Sequence, residues 1–135
     1  MPGATLVSLR DEDKVSGAAA LRVLQEEGFR LVATGGTAAY MRERGLDVQT
    51  IHKVREGAPH TESLIRAGEV SLVIATTRIG DAGAVRDSAS MRRAALEAGI
   101  PYFTTVSGAR AAAAAIRALR AGEVQPIALQ DLHDL

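Results

Sequence analysis

The sequence lacks cysteine altogether, which excludes disulfide bonds, thiolate metal sites and cysteine nucleophiles. It also lacks any apolar run near the roughly 20 residues that a membrane-spanning helix requires. No signal-peptide pattern precedes the first apolar segment. The formal net charge is zero, which gives the chain no bulk attraction for nucleic acid or an anionic membrane. We therefore expect a cytoplasmic protein with neither a nucleic-acid nor a membrane partner.

Lysine is nearly absent as well. Of the 16 basic residues, only Lys14 and Lys53 are lysines, and all the others are arginines. Composition explains why lysine is rare, but it does not explain why both lysines fall next to the ends of predicted strands or helices. The three histidines, His52, His60 and His133, do not have the spacing of metal ligands, so we expect no metal.

What the sequence has is a regular alternation of strand and helix patterns. Its 135 residues, with 47% hydrophobic content, suit one globular domain. The alternation predicts a parallel sheet covered by helices on both faces. Four of the helical patterns are followed by a glycine that ends them, namely Gly28, Gly45, Gly68 and Gly99. The predicted strands are 5–9, 29–33, 48–51, 70–75 and 100–106, with a short edge strand at 126–129. The predicted helices are 14–27, 37–44, 61–67, 87–97 and 107–121, with a loop over 78–86.

One strand-to-helix junction carries a candidate anion site. The apolar run that ends at Thr34 is followed by Gly35, Gly36 and Thr37, and then by helix-forming residues. Glycines let the backbone turn sharply and let a ligand approach it closely, and the free N–H groups at a helix N-terminus favour phosphate. The spacing is neither that of a P-loop nor that of a dinucleotide fingerprint. An ordinary junction with Thr37 as the helix N-cap therefore stays open.

Further polar residues follow the neighbouring strands. Lys53 comes after the third predicted strand, and Thr76 and Thr77 come after the fourth. In open parallel sheets, ligands bind at the carboxyl ends of the strands, where the strand order reverses. We therefore predict a small pocket for a phosphate or a carboxylate at this edge of the sheet.

Two segments together make the sequence similar to a known family. They are Ala-Thr-Gly-Gly-Thr at 33–37 and Lys-Val-Arg-Glu-Gly-Ala-Pro-His at 53–60. Over nearly its whole length the chain resembles the C-terminal allosteric domain of the carbamoyl-phosphate synthase large subunit, the methylglyoxal-synthase-like (MGS-like) domain. The resemblance implies a Rossmann-like α/β fold, a three-layer α/β/α sandwich around a five-stranded parallel sheet. It also implies that residues 1–135 are a single regulatory domain, excised from the C-terminus of a larger chain.

The resemblance also supplies a functional expectation. It implies that the domain binds a nucleotide monophosphate, UMP or IMP, as an allosteric effector. Its partners would be the synthetic domains of the large subunit and, through them, the glutaminase small subunit. The parent would be a glutamine-hydrolysing ligase of pyrimidine and arginine biosynthesis, whereas this domain would have no catalytic residues and no cofactor. Carried over by motif, the effector site comprises Lys14, Thr34, Gly35, Gly36, Thr37, Lys53, Thr76 and Thr77. Behind these residues the resemblance places Asp87, Ser88, Tyr102 and Thr104.

Two positions leave the identity of the effector open. Ala75 stands where many relatives have asparagine, so this chain has no amide there to select a base or a ribose. Phe103 stands where relatives that respond to ornithine can carry an acid. Activation by ornithine through this segment is therefore open as well.

An enzymatic alternative is a lyase of the methylglyoxal synthase type, acting on dihydroxyacetone phosphate. Such an enzyme needs a carboxylate base within hydrogen-bond reach of its substrate. In methylglyoxal synthases the base belongs to a Gly-Gly-Asp segment, and this chain has Ala58 at the position of the aspartate. Glu56 is a candidate substitute base, and we interpret Asp87 as a helix N-cap rather than as a second acid. The cyclohydrolase of the bifunctional purine enzyme shares the Gly-Gly-Thr turn, but its Lys-Thr-Leu-His-Pro signature is absent here. An α/β domain without a ligand is the remaining alternative.

Overall fold

A computed structural model describes residues 3–51, 61–76 and 82–122. Within these ranges strands and helices alternate as the sequence predicts. The strands are β1 (Ala4–Ser8), β2 (Arg30–Thr34), β3 (Val48–Ile51), β4 (Val70–Ala75) and β5 (Tyr102–Phe103). The helices are α1 (Asp11–Glu26), α2 (Gly35–Glu43), α3 (Thr61–Arg66), α4 (Ala82–Ala98) and α5 (Val106–Arg120). The predicted edge strand at 126–129 lies outside the described residues.

The five strands form one sheet in the order β3-β2-β1-β4-β5. Every neighbouring pair is parallel, which confirms the predicted parallel α/β architecture. The chain runs outward from β1 to β3 and then crosses back to β4, so the strand order reverses between β1 and β4. A crevice at the carboxyl ends of these two strands is the usual place for a ligand in such a sheet.

Two apolar layers, one on each face of the sheet, form the core and confirm the three-layer α/β/α sandwich. Alternate residues along a strand point to opposite faces, so each strand contributes to both layers. On one face, strand residues pack against α1, α2 and α5; this layer includes Val7, Leu31, Ala33, Ile74, Leu21, Leu24, Met41, Ala109 and Ala113. On the other face, strand residues pack against α3 and α4; this layer includes Leu6, Val32, Val73, Ile65, Met91, Ala94 and Ala95.

Glycines end the helices where the sequence predicts. Gly28 follows α1 with φ 95°, and Gly45 follows α2 with φ 85°. A positive φ of this size favours glycine, because a side chain would clash with the backbone. Gly68 and Gly99 end α3 and α4 in the same left-handed region.

Strand β5 is shorter than predicted. It covers only Tyr102–Phe103 instead of 100–106, because both of its ends are used differently. Pro101 has no N–H to donate, although its carbonyl accepts a hydrogen bond from Val73 at 2.9 Å. At the other end, the Thr105 side chain accepts a hydrogen bond from the Gly108 N–H at 3.0 Å and caps α5.

Helix α4 begins earlier than predicted. It begins at Ala82, so the segment 82–86 is helical instead of part of a loop. Asp87 lies in the second turn of α4, and its interpretation as a helix N-cap is therefore wrong. Helix-forming alanine upstream of Asp87 extends the helix past the expected boundary.

No helix in these described ranges has the length and apolar character to cross a membrane.

Candidate functional site

The N-terminus of α2 lies at the carboxyl end of β2, next to the point where the strand order reverses. Thr34 occupies the N-cap position, with extended backbone angles, but its side chain makes no capping hydrogen bond. Instead, its hydroxyl donates to the Ser8 hydroxyl at 3.1 Å. The first N–H groups of a helix have no acceptor within the helix, and the first turn of α2 contains no acidic side chain. This terminus therefore favours an external anion.

Lys14 lies over this helix terminus, although it belongs to α1. A Cβ built on Gly36 would lie 3.4 Å from the Lys14 Nζ atom, so the ammonium is close to the first turn of α2. The Lys14 side chain is only 13% exposed, which means that packing holds most of its stem in place. The structure thus brings together Lys14, Gly35 and Gly36, three of the residues predicted to form the site.

The two glycines have a different role from the sharp turn that the sequence predicts. Helix α2 begins at Gly35 rather than at residue 37, and neither glycine has a positive φ. Outside its chain neighbours and its own helix backbone, a Cβ built on Gly35 would have no described atom within 4 Å. The described residues therefore leave the backbone of this first helical turn open to close approach by a ligand.

Thr37 connects α2 to the end of β1. Its hydroxyl accepts a hydrogen bond from the Leu9 N–H at 3.0 Å and donates to the Leu9 carbonyl at 3.4 Å. The side chain is buried. Thr37 is therefore not the N-cap that the simplest interpretation of the junction required, and its contacts fix the position of the helix terminus.

Thr76 connects the end of β4 to the same place. Its hydroxyl accepts a hydrogen bond from the Arg10 N–H at 2.9 Å, and its own N–H donates to the Ser8 carbonyl at 2.9 Å. The residue directly follows β4. The structure thus places Thr76 at the crevice between β1 and β4, on the side opposite Thr34.

Ser8 is a residue that the sequence-based prediction missed. As the last residue of β1, it accepts a hydrogen bond from the Thr34 hydroxyl and, through its carbonyl, from the Thr76 N–H. A single serine at the end of an apolar run carries no sequence signal of its own. Only the central position of β1 in the sheet reveals that Ser8 links both walls of the crevice.

The N-termini of α1 and α2 differ in the charge of their first-turn side chains. The first turn of α1 contains Asp11, Glu12 and Asp13, whose carboxylates complement the helix dipole. Arg10 pairs with Asp13 at 2.7 Å and with Glu12 at 3.6 Å. Because α2 has no acid in its first turn, an incoming anion meets less repulsion at α2 than at α1.

The remaining predicted residues divide into two groups. Lys53 and Thr77 lie outside the described residues, as do Glu56, Ala58 and the three histidines. Tyr102 and Thr104 belong to β5 and the residue after it, two strands away from β1. The Tyr102 hydroxyl lies 3.1 Å from the Ser88 hydroxyl and donates to the Ser88 carbonyl at 3.2 Å, which joins β5 to α4. Asp87 is buried beside Ser88 on α4, and Thr104 is exposed.

The part of the chain that the structure describes holds no cluster of three or more histidine, aspartate or glutamate side chains that could bind a metal ion. Among the described residues, the crevice brings together the first-turn N–H groups of α2, several hydroxyl groups and the ammonium of Lys14. Such an arrangement can bind and orient an anion.

Comparison with known proteins agrees with this architecture. The profile of the MGS-like domain family matches residues 18–104. The chain is 50% identical over 127 residues, 93% of its length, to a carbamoyl phosphate synthase large chain of Rhizobium meliloti. It is 40% identical over 133 residues to the C-terminal section of a carbamoyl phosphate synthase large chain of Methanopyrus kandleri, and it covers 24% of that protein. The chain spans only 11% of the length of the Rhizobium protein.

Proposed function

Since the chain belongs to the MGS-like domain family, we propose that it is an allosteric regulatory domain that binds a nucleotide monophosphate through its phosphate group. The observation that carries this proposal is the Lys14 ammonium lying beside Gly36, at the N-terminus of a helix whose own first turn contains no acidic side chain. In this arrangement a phosphate dianion accepts hydrogen bonds from the first-turn N–H groups and pairs with Lys14.

Each residue of the proposed site has a distinct task. Gly35 and Gly36 expose the backbone donors, and Lys14 supplies the positive charge. Thr34 is the N-cap residue of α2, and its hydroxyl bonds to that of Ser8; we expect the two hydroxyls to exchange this hydrogen bond for one to the ligand. Thr37 and Thr76 hold the two sides of the crevice in place through their hydrogen bonds to Leu9 and Ser8. Lys53 and Thr77, which follow β3 and β4 in the sequence and lie outside the described residues, are proposed to complete the site.

The large-chain relatives suggest the setting in which such binding has an effect. We propose that residues 1–135 are the C-terminal regulatory domain of a carbamoyl phosphate synthase large chain in the cytoplasm. The domain would act on the synthetic domains of that chain and, through them, on the glutaminase small subunit. UMP and IMP are the proposed effectors, in the service of pyrimidine and arginine biosynthesis. The domain itself performs no chemical step.

Calorimetric titration of two lysine variants tests the proposed site. We expect Lys14→Ala and Lys53→Ala each to weaken UMP or IMP binding by about 1.5–3 kcal/mol, the range for a hydrogen bond to a charged group. This corresponds to roughly a tenfold to hundredfold increase in Kd. Binding of the bare nucleoside should barely change, because it carries no phosphate for the lysines to contact. Titration of the unsubstituted domain, called the parent in the experiments below, with ornithine and with inorganic phosphate defines the rest of its ligand specificity.

Arg30→Ala is a matched control for the loss of one positive charge. Arg30 begins β2 and is exposed, so it lies at the amino edge of the sheet, opposite the proposed site. We expect this variant to bind the monophosphate like the parent. If both lysine variants also bind UMP and IMP like the parent, the phosphate does not bind at the N-terminus of α2.

A further inference from the structure

Lys14 already has an anionic partner within its own helix. Asp11, the first residue of α1, places its Oδ1 atom 2.6 Å from the Lys14 Nζ atom. The two side chains differ in burial, because Lys14 is 13% exposed and Asp11 is 64% exposed. The protein therefore covers most of the Lys14 side chain, whereas most of the Asp11 side chain is in contact with solvent.

We infer that Asp11 sets the affinity of the site by competing with the phosphate for Lys14. The inference rests on the proposed function, since it concerns the same phosphate site. Without a ligand, the Asp11 carboxylate neutralises the ammonium beside the α2 terminus. A bound phosphate displaces Asp11 from Lys14 or tolerates its negative charge nearby, and either event weakens binding.

The burial of the pair explains why Asp11 acts as a competitor and not as a support. Because most of the Lys14 side chain is covered by the protein, we expect the ammonium to stay near Gly36 whether or not Asp11 holds it. The contact between the exposed Asp11 carboxylate and Lys14, by contrast, costs little to break, because an ion pair at the surface is weak. Removing the carboxylate therefore leaves Lys14 in place with its charge available to the ligand.

The two other acids of this helical turn provide a comparison. Glu12 and Asp13 pair with Arg10, whose charge they offset, so their carboxylates are directed to a different cation. Glu12 is also similar to Asp11 in exposure, at 66%. Glu12→Gln therefore removes the same charge from the same turn, one residue away, without freeing Lys14.

Titration with inorganic phosphate and with UMP tests the inference. We expect Asp11→Asn to tighten the binding of both ligands by roughly threefold to tenfold, the effect of removing one nearby like charge at a solvated site. Glu12→Gln should change Kd by less than about twofold, because exposed charges at a distance are screened. Asp11→Glu keeps the charge and should bind like the parent. Thermal melts of the three variants show whether each is folded.

A second measurement follows the Lys14 ammonium with and without phosphate. The chain has two lysines, so the side-chain ammonium of Lys14 gives the NMR signal that is absent from the spectrum of Lys14→Arg. We expect phosphate to bring this signal to the same final position in Asp11→Asn as in the unsubstituted domain, at a lower phosphate concentration. A signal that moves to the position of a free lysine in unliganded Asp11→Asn means that Asp11 holds Lys14 in place, which overturns the inference.

The outcomes separate the two proposals. If the parent binds phosphate or UMP and Asp11→Asn binds it equally well or more weakly, Asp11 does not compete for Lys14, and the inference is wrong while the proposed function stands. If neither the parent nor any variant binds phosphate or UMP, the proposed function is wrong and the inference fails with it. Tighter binding by both Asp11→Asn and Glu12→Gln to the same degree assigns the effect to net charge and also overturns the inference.

Discussion

Gly36 matters both for the backbone of α2 and for the space in which Lys14 and a ligand would lie. It lies in the first turn of α2 without a positive φ, so a side chain there causes no backbone strain. The space beside it is limited, because the Lys14 ammonium lies 3.4 Å from where a Cβ would be. A substitution at Gly36 therefore tests the position of Lys14 more than it tests the fold.

We expect Gly36→Val to abolish nucleotide monophosphate binding while the protein stays folded. The branched side chain places methyl groups where the ammonium lies and displaces Lys14 from the helix terminus. Gly36→Ala adds the Cβ alone, in near-ordinary contact, and should weaken binding much less. Calorimetry with UMP or IMP and a thermal melt measure the two effects. Unchanged binding by Gly36→Val means that the anion binds elsewhere.

Thr5 and Thr37 show how differently two buried threonines contribute to stability. The Thr5 hydroxyl, in the central strand β1, has no hydrogen-bond partner among the described residues. The Thr37 hydroxyl bonds to both backbone groups of Leu9. A buried polar group without a partner costs free energy, whereas a bonded one offsets its desolvation.

Replacement of each threonine by valine should therefore have opposite effects. We expect Thr5→Val to raise the free energy of unfolding by about 1 kcal/mol, because the unpaired hydroxyl is lost. Thr37→Val should lower it by about 1–3 kcal/mol, because the buried Leu9 N–H loses its acceptor. Urea denaturation of both variants gives the two values. A loss of stability in Thr5→Val indicates a partner for that hydroxyl outside the described residues.

At the scale of helices and strands, the sequence predicts the order and type of the elements but not all of their ends. Hydrophobic periodicity and glycine stops are local signals, and the predicted β3 and β4 coincide with the observed strands. The ends of β5 and the beginning of α4 depend on pairing and packing partners elsewhere in the chain. Pro101, for example, gives no sign in the sequence that its carbonyl still bonds to β4.

The same distinction applies to the candidate site. The Gly-Gly-Thr junction and the strand ends are visible in the sequence, and the family resemblance adds Lys14. The contact of Thr37 with Leu9 joins residues 28 positions apart, and the role of Ser8 follows from the central place of β1 in the sheet. Neither follows from a local pattern, so both required the structure.

Helix α5 is the element in which small side chains matter most. Ala109 and Ala113 are buried in the apolar layer on the face of the sheet that α1, α2 and α5 cover, as expected for an alanine-rich helix that lies close to the sheet. Ala114, the next residue, is exposed. Alanine and leucine have similar helix propensities. A leucine at position 113 or 114 therefore changes stability through packing rather than through helix formation.

Ala113→Leu should lower the free energy of unfolding by about 1–3 kcal/mol, because the added carbons have no room between α5 and the sheet. Ala114→Leu is the matched control and should change stability by less than about 0.5 kcal/mol, as surface substitutions usually do. Chemical denaturation measures both. Equal stability of the two variants contradicts close packing of α5 on the sheet.

At the scale of the whole molecule, the site depends on contacts that connect three strands and two helices. Thr34, Thr37 and Thr76 each bond to the end of β1, and Lys14 reaches α2 from α1. These contacts exist only when the sheet is complete. A ligand at the crevice therefore binds the folded state and not the unfolded chain, so binding and global stability are linked.

The linkage leads to a prediction for thermal unfolding. A ligand at a hundred times its Kd stabilises the folded state by about 2.7 kcal/mol, which raises the Tm of a domain of this size by several degrees. We expect UMP or IMP to produce such a rise and the corresponding nucleoside, at equal concentration, to produce almost none, because the phosphate supplies the contacts to α2 and Lys14. In Lys14→Ala the rise should shrink to a small fraction of that in the parent at the same ligand concentration. Differential scanning calorimetry of the parent and this variant makes the comparison, and an equal rise with nucleoside and monophosphate means that the crevice recognises the base or ribose instead of the phosphate.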